Sequence, residues 1–204
     1  MTGVRMSECT GLWRRTLLID ADGSRDTSSD VRWLQGLTAF VDLRTPVPAN
    51  PAAQDGFAGW LRQSGEVFTW DRFTGLQPVG EFPDEGRMHW DDGVLVETGV
   101  HADYVEHWVL HPVAGPRWAL TLAGPGGARA LLLRVGDLFG WAAHTGAGTE
   151  ISLGAVTGQR WEITDSSGSG HCGTDLAPRV HDRTLTVRAS QTWTVLDSEG
   201  EVTP

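Results

Sequence analysis

The sequence predicts an all-β fold: an antiparallel barrel built as one domain over residues 1–204. Three observations predict it. Strand-like runs alternate with turn dipeptides from end to end, as in barrels and sandwiches. Ten tryptophans run from Trp13 to Trp193, spaced like one large anchor per strand or hairpin. No stretch of ten or more residues carries a convincing helical period. A chain of 204 residues suits a single all-β domain.

The elements follow in order. Residues 13–20 read as a strand closed by the hairpin dipeptide Asp22-Gly23. Residues 30–35 and 37–44 flank Gly36, a bulge or bend. Residues 45–56 hold Pro46, Pro48 and Pro51 and read as a loop. Residues 57–63 and 66–73 surround the tight turn Ser64-Gly65, and 87–90 and 94–98 surround Asp92-Gly93. Residues 104–110 suit a strand better than a helix, and prolines then break the chain near 111–117, where two half-barrels could join. The second half alternates strands and turns in the same way, with strands at 117–122, 128–135, 138–143, 151–156, 160–164 and 183–195, a Gly136-Asp137 turn and a bend near Ser190. Residues 165–179, rich in Gly and Ser, read as a mobile lid.

Composition narrows the function classes. The formal net charge is −10, and all sixteen basic residues are arginine, with no basic stripe, so nucleic acid and anionic membranes are not expected partners. Cys9 and Cys172 stand far apart and outside any Cys-x-x-Cys pattern. No apolar run has the length of a signal peptide or a membrane span, so the expected location is cytoplasmic. A homodimer through an exposed strand edge is compatible with the pattern.

Several segments of the N-terminal half resemble an uncharacterised bacterial family, with distant fungal relatives, of lipocalin-like β-barrels. They are Gly11 to Arg15 (GLWRR), Arg32 to Gln35 (RWLQ), Val41 to Arg44 (VDLR), Gly56 to Trp60 (GFAGW), Leu76 to Pro78, Gly86 to Met88 and His101 to Trp108 (HADYVEHW). Val135 to Phe139 (VGDLF) is similar to a later hairpin. The resemblance covers residues 11–110 well and the rest loosely. It implies a calycin-type barrel around an interior cavity and carries no reaction with it.

Candidate chemistry comes from strand parity. Tyr104, Glu106 and Trp108 share one face of a strand, and an inward carboxyl flanked by aromatics has a raised pKa and can move protons. Glu97, on the strand before, can lie beside Glu106 as a carboxylate pair; the alternative is an ion pair of Glu106 with Arg44 or Arg87. Arg44 shares parity with Asp42 and Phe40, and Trp33 with Gln35. Turned inward, Arg44 and Gln35 supply donors to a ligand oxygen while Trp33 stacks on it; the alternative is a structural Arg44–Asp42 pair. The catalytic candidates are therefore Glu106, Glu97, Tyr104 and Arg44. The ligand-binding candidates are Trp33, Gln35, Phe40, Trp70, Trp108, Trp141 and Trp161, since in a barrel the core is also the cavity wall.

His101, Asp103, His107 and His111 have metal-like spacing on a helix, but on a strand Asp103 and His107 lie roughly 13 Å apart at about 3.3 Å per residue, too far for one ion. His89 beside Asp91 and Asp92, and His171-Cys172 with His181, are weaker constellations. No phosphate-loop, dinucleotide or serine-hydrolase motif occurs, and no cofactor or metal is expected. The sequence reading is a barrel that binds a small apolar or aromatic metabolite and performs cofactor-independent acid–base chemistry on it: cyclisation, isomerisation or elimination. A non-catalytic carrier or sensor is the alternative, and a haem or metal barrel the outsider.

Overall fold

Strand β1 (Gly11–Ile19) opens the fold with Trp13 on its inner face and arginines interleaved, the alternation that half-buries a pleated ribbon. We describe the chain from a computed structural model covering residues 3–50 and 53–203; Pro51, placed by the sequence in a loop, lies outside the described residues. After β2 (Arg25–Asp26) come β3 (Asp30–Gln35), β4 (Ala39–Thr45), β5 (Asp55–Ser64), β6 (Val67–Gly75), β7 (Glu85–Asp91), β8 (Val94–Gly99) and β9 (Val105–His111). Each strand from β3 onward pairs antiparallel with its predecessor, except that β3 pairs with β1 past the short β2. Strand β9 returns to pair with β1, from Leu12 opposite His111 to Ile19 opposite Val105. Eight strands thus form a closed antiparallel barrel without an open edge.

Residues 112–116 lead into a second sheet: β10 (Arg117–Ala123), β11 (Arg129–Val135), β12 (Leu138–Thr145), β13 (Gly148–Thr157), β14 (Arg160–Ser166), β15 (Arg179–His181), β16 (Thr184–Val187) and β17 (Gln191–Gly200). Its order is β14-β13-β12-β11-β10-β17-β16-β15. The sheet curls around its own core of Trp118, Trp141, Trp161, Trp193 and surrounding aliphatics. The Gly/Ser-rich segment expected to be a lid is instead pinned there. The Leu176 amide donates to Trp161 O at 2.9 Å, Ile163 N donates to Thr174 O at 2.9 Å, and the Leu176 side chain is fully buried. The reason is Leu176 itself, whose burial outweighs the freedom of its glycine-rich flanks.

One shared core joins the two sheets into a single domain. Ala39, Val41 and Leu43 of β4 pack against Leu131, Leu133, Ala142, Ile151 and Leu153 of the second sheet. The other face of β4 presents Phe40 and Asp42 to the barrel interior, so the strand is buried on both sides. Close approach requires glycine at Gly140, where a β-carbon would come within 2.6 Å of Val41 Cγ2. Gly36 lies in the β3–β4 turn, so of the bulge or bend expected there the bend is what forms, and Leu133 Cδ1 occupies the space a side chain would need. Glu199 of β17 accepts hydrogen bonds from the amide and hydroxyl of Thr38 at the same tip. No helix among the described residues is long and apolar enough to cross a membrane.

Candidate functional site

The barrel interior is packed with aromatics at one end and polar at the other. Trp33 is the centre of the packed end: it stacks on Trp13 at 5.6 Å between centroids and meets Trp70 and Trp108 edge-on at 5.7 Å each. The indole N–H groups are satisfied in place. Trp13 donates to Cys9 O, Trp33 to Gln35 Oε1 at 2.9 Å, and Trp108 to Glu97 Oε2 at 3.1 Å. Beyond this cluster opens a cavity of about 240 Å³.

Antiparallel register builds its chemistry. Strands β8 and β9 pair so that Glu97 and Glu106 are direct cross-strand partners, and Leu95 opposes Trp108. Both glutamates are buried, at 3% and 4% exposure. Like charges set opposite each other out of water cannot both ionise cheaply, and their surroundings differ. Glu106 Oε1 receives Arg15 Nη1 at 2.6 Å and lies 3.7 Å from Arg44 Nη1. Among the described residues Glu97 has no guanidinium partner: its oxygens accept the Tyr104 hydroxyl, at 2.8 Å, and the Trp108 indole. Burial, then the Glu106 charge, pushes the Glu97 carboxyl up from an ordinary 4.5 to about 8. Burial, with Glu97 beside it, likewise raises the Tyr104 hydroxyl.

Two glycines make room for this pair. Gly86 and Gly99 are cross-strand partners on β7 and β8. A β-carbon at Gly86 would lie 2.8 Å from Glu97 Cγ, and one at Gly99 would lie 2.5 Å from Tyr104 Cε1. Any larger residue at either position would displace the carboxyl or the phenol.

The opposite wall is a layer of guanidinium and ring. Arg72 sits 3.6 Å and Arg44 5.0 Å from the Phe57 ring centroid. Arg44 Nε donates to Asp42 at 2.8 Å, and Arg72 donates to Asp84 at 2.6 and 3.0 Å. Burial alone would lower Arg44, but Asp42 and Glu106 outweigh it and hold the guanidinium above its usual range. Burial raises Asp42 despite its arginine partner. A register shift between Arg15 and Leu17 on β1 changes which residues point inward, so Leu18 and Asp20 also reach the cavity.

Of the residues singled out from the sequence, Glu106, Glu97, Tyr104, Arg44, Trp33, Trp70 and Trp108 line this one cavity. Gln35 is buried behind it, accepting from Trp33 and donating to Thr38 O and Ala39 O, so its amide braces a hairpin. Phe40 packs edge-on against Phe57 in the core, off the cavity wall. The structure does not bring Trp141 or Trp161 here: both lie in the core of the second sheet, because the chain encloses two interiors rather than one. Glu106 is paired mainly with Arg15, not with Arg87. The histidines fall elsewhere: His101 pairs with Glu85 at 2.9 Å and stacks on Phe82, and His107 and His111 lie on the outward-facing side of β9. Among the described residues no group of three or more His, Cys, Asp or Glu is placed to hold a metal ion. Arg15, Arg72, Asp84, Phe57, Leu18 and Asp20 were not singled out. Only parity within β5 and β6 could have pointed to Phe57 and Arg72; Arg15 depends on the β1–β9 closure.

No protein-family model and no curated protein matches the chain. A solved structure does: the crystal structure of an uncharacterized protein from Saccharomyces cerevisiae, 13% identical, with a TM-score of 0.67, covering 93% of this chain and 98% of that one. At that identity the likeness speaks for architecture alone, and this chain therefore shares an antiparallel β-barrel fold with a yeast protein of uncharacterised function.

Proposed function

We propose that the first barrel binds a small metabolite and performs cofactor-independent acid–base chemistry on it, with Glu97 and Tyr104 as the proton-transfer pair. The observation that carries this reading is the buried Glu97, set opposite Glu106 at the cavity wall with only neutral hydrogen-bond donors around it. A carboxyl held protonated near neutral pH, beside a charged one, is the usual arrangement for general acid catalysis. In the ionised carboxylate, Oε1 accepts from the Tyr104 hydroxyl and Oε2 from the Trp108 indole. When the carboxyl takes up its proton on Oε1, that O–H turns to the Tyr104 oxygen and the phenol is released to donate to a ligand oxygen. Arg44 and Arg72 stand across the cavity to stabilise charge developing on the ligand.

Size and charge narrow the ligand. About 240 Å³ is below the roughly 300–1,000 Å³ typical of drug-sized ligands, which disfavours a long lipid. With Glu97 protonated, Arg44 is paired with Asp42, Arg72 with Asp84 and Arg15 with Glu106, and Asp20 adds a further carboxyl, so none of these cations is left over and the polar end of the ligand is neutral or cationic rather than anionic. Its flat or apolar body rests on Trp33, Trp70 and Trp108. Isomerisation, elimination and cyclisation each need one proton moved in a dry, shaped pocket. The lipocalin-like family membership suggested by the N-terminal motifs accords with a barrel that encloses a ligand.

A carrier is the second reading, favoured by one observation: both Glu97 oxygens and Glu106 Oε1 already have partners, as in a wall built only to bind. Native mass spectrometry of the chain as expressed, against its denatured mass, separates the outcomes. An organic mass that departs on denaturation identifies the ligand. Conversion of that compound by the wild type, lost in Glu97→Gln while the bound mass persists, supports the enzyme. A compound released unchanged by both proteins leaves the carrier, and conversion that survives the substitution removes Glu97 from the mechanism.

A further inference from the structure

The second sheet borders a larger, half-open cavity of about 610 Å³, which shares no lining residue with the first. This volume lies within the range of sites for drug-sized ligands. Its apolar wall includes Ala128, Ala143 and Trp193, and its polar wall is a cluster of Glu150, Arg188 and His171. Arg188 Nη1 donates to Glu150 Oε2 at 3.0 Å and Nη2 to Oε1 at 2.5 Å. His171 Nδ1 lies 2.9 Å from the same Oε1, and the Ser152 hydroxyl donates to it at 2.9 Å. Arg188 and Ala189 both adopt left-handed backbone, at φ +49° and +60°, in the turn between β16 and β17. Neither is glycine, so the turn holds Arg188 in place at a conformational cost.

The donors around this interior set it apart from the first barrel. There, the indoles of Trp13, Trp33 and Trp108 each donate to a protein acceptor. Among the described residues, four buried side-chain donor atoms have no partner: Nε1 of Trp118, Trp141 and Trp193, and Nε of Arg188. All four belong to the second sheet, and Trp193 and Arg188 line the cavity. Glu150 already balances the Arg188 charge, and the four buried N–H groups remain without an acceptor. Buried donors left unpaired are costly, and native structures rarely keep several together without an acceptor arriving from elsewhere.

We propose that this cavity is a second ligand site, for a small organic molecule with an apolar, aromatic-sized body and an acceptor oxygen of the carboxylate, sulfonate or carbonyl kind. The body packs on Trp193, Ala128 and Ala143, and the oxygen sits at the Arg188 end. The two cavities share no lining residue, so the two sites do not compete.

The probe 1-anilinonaphthalene-8-sulfonate, which combines an aromatic body with an acidic oxyanion, tests the proposal by fluorescence titration of the folded chain. Saturable one-to-one binding is expected, weakened at least tenfold by Ala128→Leu, which fills the cavity, and about tenfold by Arg188→Gln. Ser190→Leu, on the exposed turn beside the cavity, is the second filling variant should Ala128→Leu lose the native near-UV circular dichroism. Leu18→Trp, which narrows the first cavity, is expected to leave the titration unchanged. Binding that survives both filling variants overturns the proposal. So does binding abolished by Leu18→Trp, and so does the absence of saturable binding to the folded chain.

Discussion

Replacing Glu97 with glutamine changes one proton and little else, because an amide reproduces the protonated carboxyl. Its oxygen accepts from the Trp108 indole, and its nitrogen donates to the Tyr104 oxygen once the phenol, which donates to Glu97 in the wild type, turns its proton away. The sign of the pH effect follows from linkage. In the unfolded chain Glu97 loses its proton near its ordinary 4.5, whereas in the folded barrel it keeps it to about 8. Between these values the folded state binds more protons, so its stability falls as pH rises, by about 1.36 kcal/mol per pH unit for a full proton. Over the whole window of some 3.5 units, 8 less 4.5, this amounts to about 5 kcal/mol as an upper limit. Glu106 opposite spreads the proton release and reduces the figure. Urea denaturation of wild type and Glu97→Gln at pH 5, 6, 7, 8 and 9 measures the difference, which cancels contributions from other groups such as Asp42. The variant is expected to gain on the wild type steadily from pH 5 to 8 and to be more stable by 1 to about 5 kcal/mol at pH 9. Parallel profiles across that range would show that Glu97 ionises normally, and the acid–base reading of the cavity would fall with it.

Tyr104→Phe removes the hydroxyl that donates to the ionised Glu97 and so favours its charge, and the midpoint of the same pH profile is expected to move upward; an unmoved midpoint contradicts the hydrogen bond. Arg15→Met leaves the buried Glu106 without its closest cation and is expected to cost about 3–5 kcal/mol in urea denaturation near neutral pH. Gly140→Ala forces a β-carbon against Val41 between the sheets, with an expected loss of about 1–3 kcal/mol. Ligand affinity at the first cavity should be kept in that variant, since Gly140 lies off its wall. Trp33→Ala removes the hub of the aromatic cluster, with an expected loss of about 3–5 kcal/mol and weaker ligand binding by fluorescence titration.

What was legible in the sequence was whatever a two-residue period and a turn dipeptide can encode. Alternation alone put Tyr104, Glu106 and Trp108 on one face, and that face points into the cavity. The turn signals at Ser64-Gly65, Asp92-Gly93 and Gly136-Asp137 mark real hairpins, with Gly65, Gly93 and Gly136 in left-handed backbone. Proximity along the chain was enough to suggest that Glu97 neighbours Glu106, because consecutive strands of a meander pair. Tertiary structure decided the rest, for one physical reason: register between strands distant in sequence leaves no local pattern. Closure of β9 onto β1 brought Arg15 to Glu106 from 91 residues away and so assigned charge to one glutamate and the proton to the other. The division into two interiors, which separates Trp141 and Trp161 from Trp33, rests on β4 being apolar on both faces, with Val41 and Leu43 on one side and Phe40 on the other. Composition shows those apolar residues; only the folded chain shows which sheet each face meets.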